Sequence, residues 1–214
     1  MSGKPIDIEH WSRIASEWTE WARAPNHDEF WAYRTSLLAF IGKGAGDALD
    51  VGCGEGRVSR VLKECGYRVM AIDPVEKLIS AAEQAGSADY YRIAAAANLP
   101  FENCSFDLAV AYNVLMDIEN VPGALREIRR VLRPSGTVVI SIVHPFADLN
   151  TGTPWSSWDN ADIRWGLDHD RSIEETADFL CRTPHYRTQS TGEMAVRTAI
   201  RATIWETVVV LFRR

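Results

Sequence analysis

The sequence has no long apolar run and no excess of basic charge. Its longest apolar runs are far shorter than the ~20 residues that a transmembrane helix needs. Its 23 Lys and Arg face 29 Asp and Glu, a formal net charge of −6 that does not favour a nucleic-acid-binding face. The first residues also lack the apolar core of a signal peptide. We therefore expect a cytoplasmic protein, monomeric or homodimeric, with no membrane and no nucleic acid as a partner.

Cysteine is scarce and is not arranged for metal binding. The four cysteines form no Cys-x-x-Cys pair and no zinc spacing, and they are Cys53, Cys65, Cys104 and Cys181. No metal site is expected from this pattern. Structural thiols in a reducing compartment are the simplest interpretation.

The most informative stretch runs from Ala48 to Leu62 and predicts a strand, a glycine turn and a helix. Apolar Leu49 and Val51 precede three glycines at spacing two, at positions 52, 54 and 56, and helical spacing of Val and Leu follows. Such a turn before a helix is typical of nucleotide-like ligand sites. Arg57 stands where a dinucleotide fingerprint would continue with glycine, which argues against a nicotinamide-dependent oxidoreductase. A second apolar strand ends at Asp73, where a carboxylate can accept hydrogen bonds from ribose hydroxyls.

Four segments in order strengthen this prediction: Asp-Val-Gly-Cys-Gly-Glu-Gly at 50–56, Ala-Ile-Asp-Pro at 71–74, Asn-Leu-Pro-Phe at 98–101 with Ser-Phe-Asp at 105–107, and Val-Leu-Arg-Pro-Ser-Gly at 131–136. Over roughly residues 45 to 145 the chain resembles the class I S-adenosylmethionine (SAM)-dependent methyltransferases, in particular the small type 11 group. The resemblance implies an α/β fold, a Rossmann-like three-layer sandwich whose mostly parallel, twisted sheet has helices on both faces.

The resemblance also implies a division of the chain and a set of cofactor contacts. Residues 1–44 are expected as an N-terminal helical lid, 45–146 as the SAM-binding core, and 147–214 as a substrate loop plus the end of the same domain. SAM is the expected cofactor and S-adenosylhomocysteine the product. The residues expected to bind the cofactor are Asp50, Gly52, Cys53, Gly54, Asp73, Pro74, Ala96, Asn98, Leu99, Tyr112 and Asn113.

One position departs from the family pattern. Relatives usually carry an Asp about three residues before Asn-Leu-Pro, where it accepts a hydrogen bond from the adenine amino group, and Ala95 stands there instead. A lost hydrogen bond costs ~1 kcal/mol, or roughly tenfold in affinity. We expect weakened but not abolished cofactor binding.

Residues for acceptor binding and catalysis are less firmly indicated. His144 follows strand five at the ligand edge of the sheet and is the candidate general base, although many methyltransferases need none because alignment suffices. Asp117 is either a base or a cap for the helix that starts at Val121-Pro122, and a cap or loop role is favoured. The aromatic-rich helices and the Trp-rich loop contribute the remaining candidate substrate residues, which are Trp21, Tyr33, Trp155, His185 and Arg187.

The C-terminal part is expected to contain a helix that a capping box at Ser190–Glu193 opens, and a strand over 203–212. The predicted function is SAM-dependent methylation of a small molecule, with O-, N- and C-methylation all open. The alternative is a non-catalytic SAM-binding or scaffold protein of the same fold. A nucleic-acid methyltransferase is disfavoured, because Tyr112-Asn113-Val114-Leu115 replaces the Asn/Asp-Pro-Pro-Tyr/Phe motif.

Overall fold

A computed structural model describes residues 8–25, 28–143, 196–199 and 207–213. Two helices come first, α1 (Ile8–Arg23) and α2 (Glu29–Ile41). Strands and helices then alternate as β1 (Asp47–Val51), α3 (Arg57–Glu64), β2 (Arg68–Asp73), α4 (Glu76–Gln84), β3 (Tyr90–Ile93), β4 (Phe106–Tyr112), the 3-10 turn Leu115–Asp117, α5 (Val121–Val131) and β5 (Leu132–Val143). The last elements described are β6 (Val196–Ala199) and β7 (Thr207–Arg213).

The strands form one seven-stranded sheet in the order β3-β2-β1-β4-β5-β7-β6. Strands β1 to β5 pair in parallel, whereas β7 is antiparallel to both β5 and β6. The strand order reverses between β1 and β4, and ligands of open α/β sheets bind at the carboxyl ends of strands beside such a reversal. The expected Rossmann-like fold is confirmed.

The core lies on both faces of the sheet, which makes three layers. On one face α2, α3 and α4 contribute Leu37, Val61 and Ile79 to a single buried cluster. On the other face α5 contributes Ile128 and Val131. Strand β1 is buried from Ala48 to Val51, as expected for a central parallel strand covered on both sides.

Strand β5 begins earlier than the sequence predicts. The Pro-Ser-Gly sequence at 134–136 predicts a turn with a strand from Thr137 to Val143 after it, but the strand begins at Leu132. Its pairing with β4 jumps from Phe106–Leu132 to Leu108–Thr137, so the expected turn is a bulge inside the strand. The Pro-Ser-Gly sequence is compatible with a turn and with a bulge, and the pairing of β5 with β4 decides between the two.

The helix expected after residue 193 is wrong over the part that the structure describes. Residues 196–199 form β6, whose Thr198 pairs with Val210 of β7. Alternating β-branched residues suit a strand, and pairing with β7 outweighs the capping signal. The strand expected over 203–212 is confirmed as β7, seated antiparallel on β5.

Within the described ranges, no helix has both the length and the apolar character needed to cross a membrane.

Candidate cofactor site

The glycine turn between β1 and α3 requires glycine for two reasons. Gly52, Gly54 and Gly56 have φ of 68°, 55° and 91°, the left-handed region that favours glycine. A Cβ on Gly52 would lie 2.2 Å from Val114 Cγ2, and one on Gly56 would lie 2.3 Å from Ser87 Cβ. The turn therefore approaches its neighbours more closely than any side chain would permit.

Asp73, the last residue of β2, connects the end of that strand to the glycine turn. Its Oδ2 accepts the Gly54 amide at 3.0 Å and its Oδ1 accepts the Val75 amide at 2.9 Å. The residue is buried, and burial raises the pKa of its carboxyl to about 6 against the two amide hydrogen bonds. Each oxygen keeps a second lone pair, so the carboxylate can still accept from a ligand hydroxyl.

A second buried acid, Asp50, lies inside β1 behind the turn. Its Oδ2 accepts from the Ser59 hydroxyl at 2.5 Å. Burial raises the pKa of Asp50 to about 7, the negative charges of Asp73 and Glu55 add to this, and hydrogen bonds from Ser59 oppose it. Asp50 is fully enclosed, and its bond to Ser59 ties β1 to α3, while its predicted contact with the cofactor stays a prediction. Burial likewise raises the pKa of the neighbouring Cys53 thiol well above its usual range, which makes this cysteine a packing residue.

The end of β4 supplies the facing edge of the crevice. Asn113 has φ of 50°, and its amide donates to the Ser141 carbonyl at 2.9 Å. Its Oδ1 accepts from the Ser141 hydroxyl at 2.6 Å. Tyr112 packs edge-to-face on Phe30 of α2, with ring centroids 5.8 Å apart. Both predicted residues thus lie at the strand end beside the reversal of the sheet.

The turn at 95–101 has the position predicted for the adenine side of the site, beyond the end of β3. Ala96 and Leu99 are buried, Asn98 is exposed, and Pro74 is half-buried after β2. The Asn98 amide donates to the Ala95 carbonyl at 3.0 Å, which closes the turn.

Two residues of α5 that the sequence did not single out hold this turn in place. Glu127 Oε2 accepts the Leu99 amide at 2.8 Å, and Arg130 donates to the carbonyls of Leu99 at 2.9 Å and Phe101 at 2.7 Å. The Leu99 amide is therefore not free for adenine. In the sequence, the signal for this pair is the three-residue spacing of Glu127 and Arg130 on a predicted helix, which allows the two side chains to interact.

Helix α1 lies across α4 and reaches the glycine turn. Arg23 binds the buried Glu55 carboxylate at 3.0 Å, and Arg60 binds it from the other side at 2.8 Å. Trp18 is the aromatic residue nearest the turn: its Nε1 is 3.6 Å from the position that a Cβ on Gly54 would take. The predicted substrate residue Trp21 is 44 % exposed and stacks on Trp18 instead, with centroids 4.9 Å apart.

Arg57 joins both N-terminal helices to the turn. Its Nη1 binds Asp28 Oδ2 at 2.5 Å, and its guanidinium lies 4.6 Å from the Phe30 ring centroid and 5.4 Å from that of Trp18. Asp28 is the residue before α2, where the sequence predicts a helix cap, but its side chain makes no capping hydrogen bond because Arg57 engages it. This ion pair is almost fully buried.

Asp117 lies in the 3-10 turn Leu115–Asp117 before α5, so of the two favoured interpretations the cap is wrong and the loop is right. The residue that caps α5 is Asn120, which accepts the Gly123 amide at 2.9 Å. Burial raises the pKa of Asp117 to about 6, and the charge of His10 on α1 opposes this.

The assembled residues fit the group that the resemblance implies. A Cβ on Gly54 would make only an ordinary contact, with Trp18 Nε1 at 3.6 Å, so the Gly54 face is less obstructed than those of Gly52 and Gly56. Asp73 offers acceptors for ribose hydroxyls at the opposite side of the turn. Three buried acids lie around the turn: Glu55 is paired with Arg23 and Arg60, and burial favours the protonated forms of Asp50 and Asp73.

Several predicted residues are not placed by the structure. His144, Trp155, His185 and Arg187 lie outside the described residues. Tyr33 belongs to α2, but its side chain is not among those described. Their roles stay predictions.

Residues 49–140 match the sequence profile of a family described as a methyltransferase domain. This match, over less than half of the chain, supports a class I SAM-dependent methyltransferase of the type 11 group. It is 31% identical to malonyl-[acyl-carrier protein] O-methyltransferase of Serratia marcescens, over 52% of this chain and 44% of that protein. It is 30% identical to ubiquinone biosynthesis O-methyltransferase of Caulobacter vibrioides, over 65% of this chain and 63% of the relative.

The fold is shared with solved structures as well. A putative SAM-dependent methyltransferase from Methanococcus maripaludis superposes with a TM-score of 0.62 at 18% identity, covering 99% of this chain and 94% of that one. At that identity the likeness concerns the fold alone. The chain spans 44% and 63% of the two curated relatives, less than two thirds of either.

Proposed function

We propose that this protein transfers the methyl group of SAM to a small-molecule acceptor and releases S-adenosylhomocysteine. The observation that carries the proposal is the contact between Asp73 Oδ2 and the Gly54 amide at 3.0 Å. It joins the ribose-binding acid to the glycine turn as one unit, at the sheet edge where such ligands bind.

The roles of the site residues follow from their positions. Asp73 accepts hydrogen bonds from the ribose hydroxyls, and Gly52 to Gly54 allow the methionine part to approach the backbone. Pro74 and the Ala96–Leu99 turn border the adenine. Tyr112 and Asn113 at the end of β4 border the methionine part. Residues 1–44 serve as a lid, of which α1 and α2 already contact the turn through Arg23 and Arg57.

The protein's contribution to the reaction is alignment, exclusion of water and electrostatics. Bound SAM supplies an electrophilic methyl group on a sulfonium. The ionised carboxylate of Asp73 favours the cationic cofactor over its neutral-sulfur product. Helices α1 and α2 cover the turn and limit water access, which supports in-line attack by a correctly placed nucleophile. His144 remains the candidate base for an acceptor that must lose a proton.

The names of the relatives support an oxygen nucleophile. One methylates a malonyl group carried on acyl-carrier protein and the other acts in ubiquinone biosynthesis, and both are O-methyltransferases by name. We propose a small organic acid or phenol as the acceptor, either free or attached to a carrier protein.

Transfer is tested by incubating the purified chain with methyl-labelled SAM and a panel of carboxylic acids, phenols and malonyl thioesters. The expected result is label in one acceptor class and equimolar S-adenosylhomocysteine, both lost in Asp73→Asn. Tight binding of S-adenosylhomocysteine without transfer to any acceptor would instead support the non-catalytic alternative.

A further inference from the structure

Asp117 carries a half-buried carboxylate at the carboxyl edge of the sheet. It ends the 3-10 turn Leu115–Asp117, which follows β4. Its side chain forms no hydrogen bond and no ion pair with the rest of the described chain. Carboxylate oxygens that are partly withdrawn from water need hydrogen-bond donors, so this side chain is available to a ligand.

The segment that leads to Asp117 forms one wall of the cofactor crevice. Val114 packs directly on the glycine turn, because a Cβ on Gly52 would lie 2.2 Å from Val114 Cγ2. Strands β2 and β4 flank β1 on its two sides, so Asp73 at the end of β2 and Asp117 after β4 border the glycine turn from opposite sides. The proposed contacts of the ribose and adenine all lie on the β2 and β3 side. The β4 side is therefore left for the methyl acceptor.

Helix α1 covers this side of the crevice. His10 in its first turn lies close enough for its charge to act on Asp117, and Trp18 lies beside Gly54 about 12 Å further along the helix axis. Burial raises the pKa of Asp117 to about 6, and the charge of His10 opposes this, so the carboxylate is mainly ionised at neutral pH. Holding a charge against burial costs stability, which is typical of functional groups.

An ionised Asp117 distinguishes between the two proposed classes of acceptor. A carboxylate accepts a hydrogen bond from a hydroxyl group, and it repels a second carboxylate at the same place. Aromatic rings lie on both sides of this space: Trp11 on α1, with its ring centroid 6.0 Å from that of His10, and Tyr112 at the end of β4. Such surroundings suit an acceptor that is itself aromatic.

We propose that Asp117 selects a phenol as the methyl acceptor by accepting a hydrogen bond from its hydroxyl group. This inference rests on the proposed function, since it assumes methyl transfer from SAM in this crevice. Among the proposed acceptors it favours phenols over organic acids. It assigns the choice of acceptor to the turn after β4, whereas the glycine turn and Asp73 bind the cofactor.

The test compares two acceptor classes in the wild type and in two variants. Asp117→Asn removes the charge and keeps the size of the side chain, and Glu119→Gln makes the same change at an exposed acid nearby. Transfer from methyl-labelled SAM is measured with phenols and with carboxylic acids that carry the same rings, and kcat and KM are determined for each labelled acceptor. Thermal unfolding reports whether each variant is folded, and Asp117→Asn should be at least as stable as the wild type.

In the wild type we expect label in phenols and none in the matched carboxylic acids. In Asp117→Asn, kcat/KM for phenols should fall roughly tenfold, mainly through KM, because a hydrogen bond to a charged acceptor becomes one to a neutral acceptor. Carboxylic acids should become acceptors in this variant, and Glu119→Gln should match the wild type. Label in carboxylic acids with the wild type, or an unchanged preference in Asp117→Asn, would overturn the inference and leave the proposed function intact. No label in any acceptor would refute the proposed function itself.

Discussion

The carboxylate of Asp73 accepts a 3.0 Å hydrogen bond from the amide of Gly54, which ties the tip of β2 to the glycine turn. The Val75 amide holds the second carboxylate oxygen at 2.9 Å. Both amides favour the ionised carboxylate, whereas its burial favours the neutral acid. A cofactor that brings hydroxyl donors and a positive charge would tip this balance toward the carboxylate.

Replacing Asp73 with Asn should weaken S-adenosylhomocysteine binding by roughly tenfold to a hundredfold, because one ribose acceptor is lost and an NH2 group faces a backbone donor. Asp89→Asn is the matched control, since Asp89 also accepts a backbone amide, that of Val69 at 2.7 Å, but outside the site. Both variants should lose stability, and only Asp73→Asn should lose affinity in calorimetry. Unchanged affinity would remove Asp73 from the site.

Stability should depend on pH through Asp50. Burial raises its pKa from 3.8 to about 7, so the folded state holds a proton that the unfolded state releases. Unfolding then takes less free energy as the pH rises from about 4 to about 7, and no further change follows above that range. In Asp50→Asn this decline should be smaller than in the wild type, by an amount on the order of a few kcal/mol. Urea unfolding at pH 5 and pH 8 measures it, and parallel declines in the two proteins would contradict the assignment.

Restoring a carboxylate at position 95 should strengthen cofactor binding. Ala95 is exposed on the turn that borders the proposed adenine site, so Asp fits there without repacking. Ala95→Asp is expected to bind S-adenosylhomocysteine roughly tenfold more tightly through the adenine amino group. The inosine analogue, which lacks that group, is the control ligand and should gain nothing. A gain for both ligands, or for neither, would place the adenine elsewhere.

Arg57 should stabilise the N-terminal helices more than a surface ion pair does. Removing it in Arg57→Leu leaves the buried Asp28 carboxylate unpaired, at an expected cost of about 3 kcal/mol or more in unfolding free energy. Arg34→Leu is the control, because Arg34 pairs with Glu64 nearer the surface and its loss should cost about 1 kcal/mol or less. Equal losses in urea unfolding would show that the Arg57 pair contributes no more than an exposed one.

The central sheet was predictable because its signals are local. Apolar strands, glycines and helical spacing placed β1, α3, β2 and β4 within a residue or two of their observed bounds. The motif order then identified the family. The bulge in β5 and the strand β6 were missed because each depends on a pairing partner distant in the sequence.

Within the site, the residues of the glycine turn and Asp73 were predictable from their spacing in the sequence. The side chains that hold the turns in place were not. Arg57 was recognised only as a missing glycine, yet it binds Asp28 and lies against two aromatic rings. Glu127 and Arg130 hold the 95–101 turn from a helix some 30 residues further along the chain. Side-chain bonds between remote segments leave no periodic pattern in a sequence.

The central claim is that this chain binds SAM in the crevice between the glycine turn and α1. Calorimetric titration of the purified wild-type protein with S-adenosylhomocysteine tests it most directly. We predict saturable binding with one site per chain, weakened in Asp73→Asn and unchanged in Asp89→Asn. Absence of any binding heat at millimolar ligand would contradict the account.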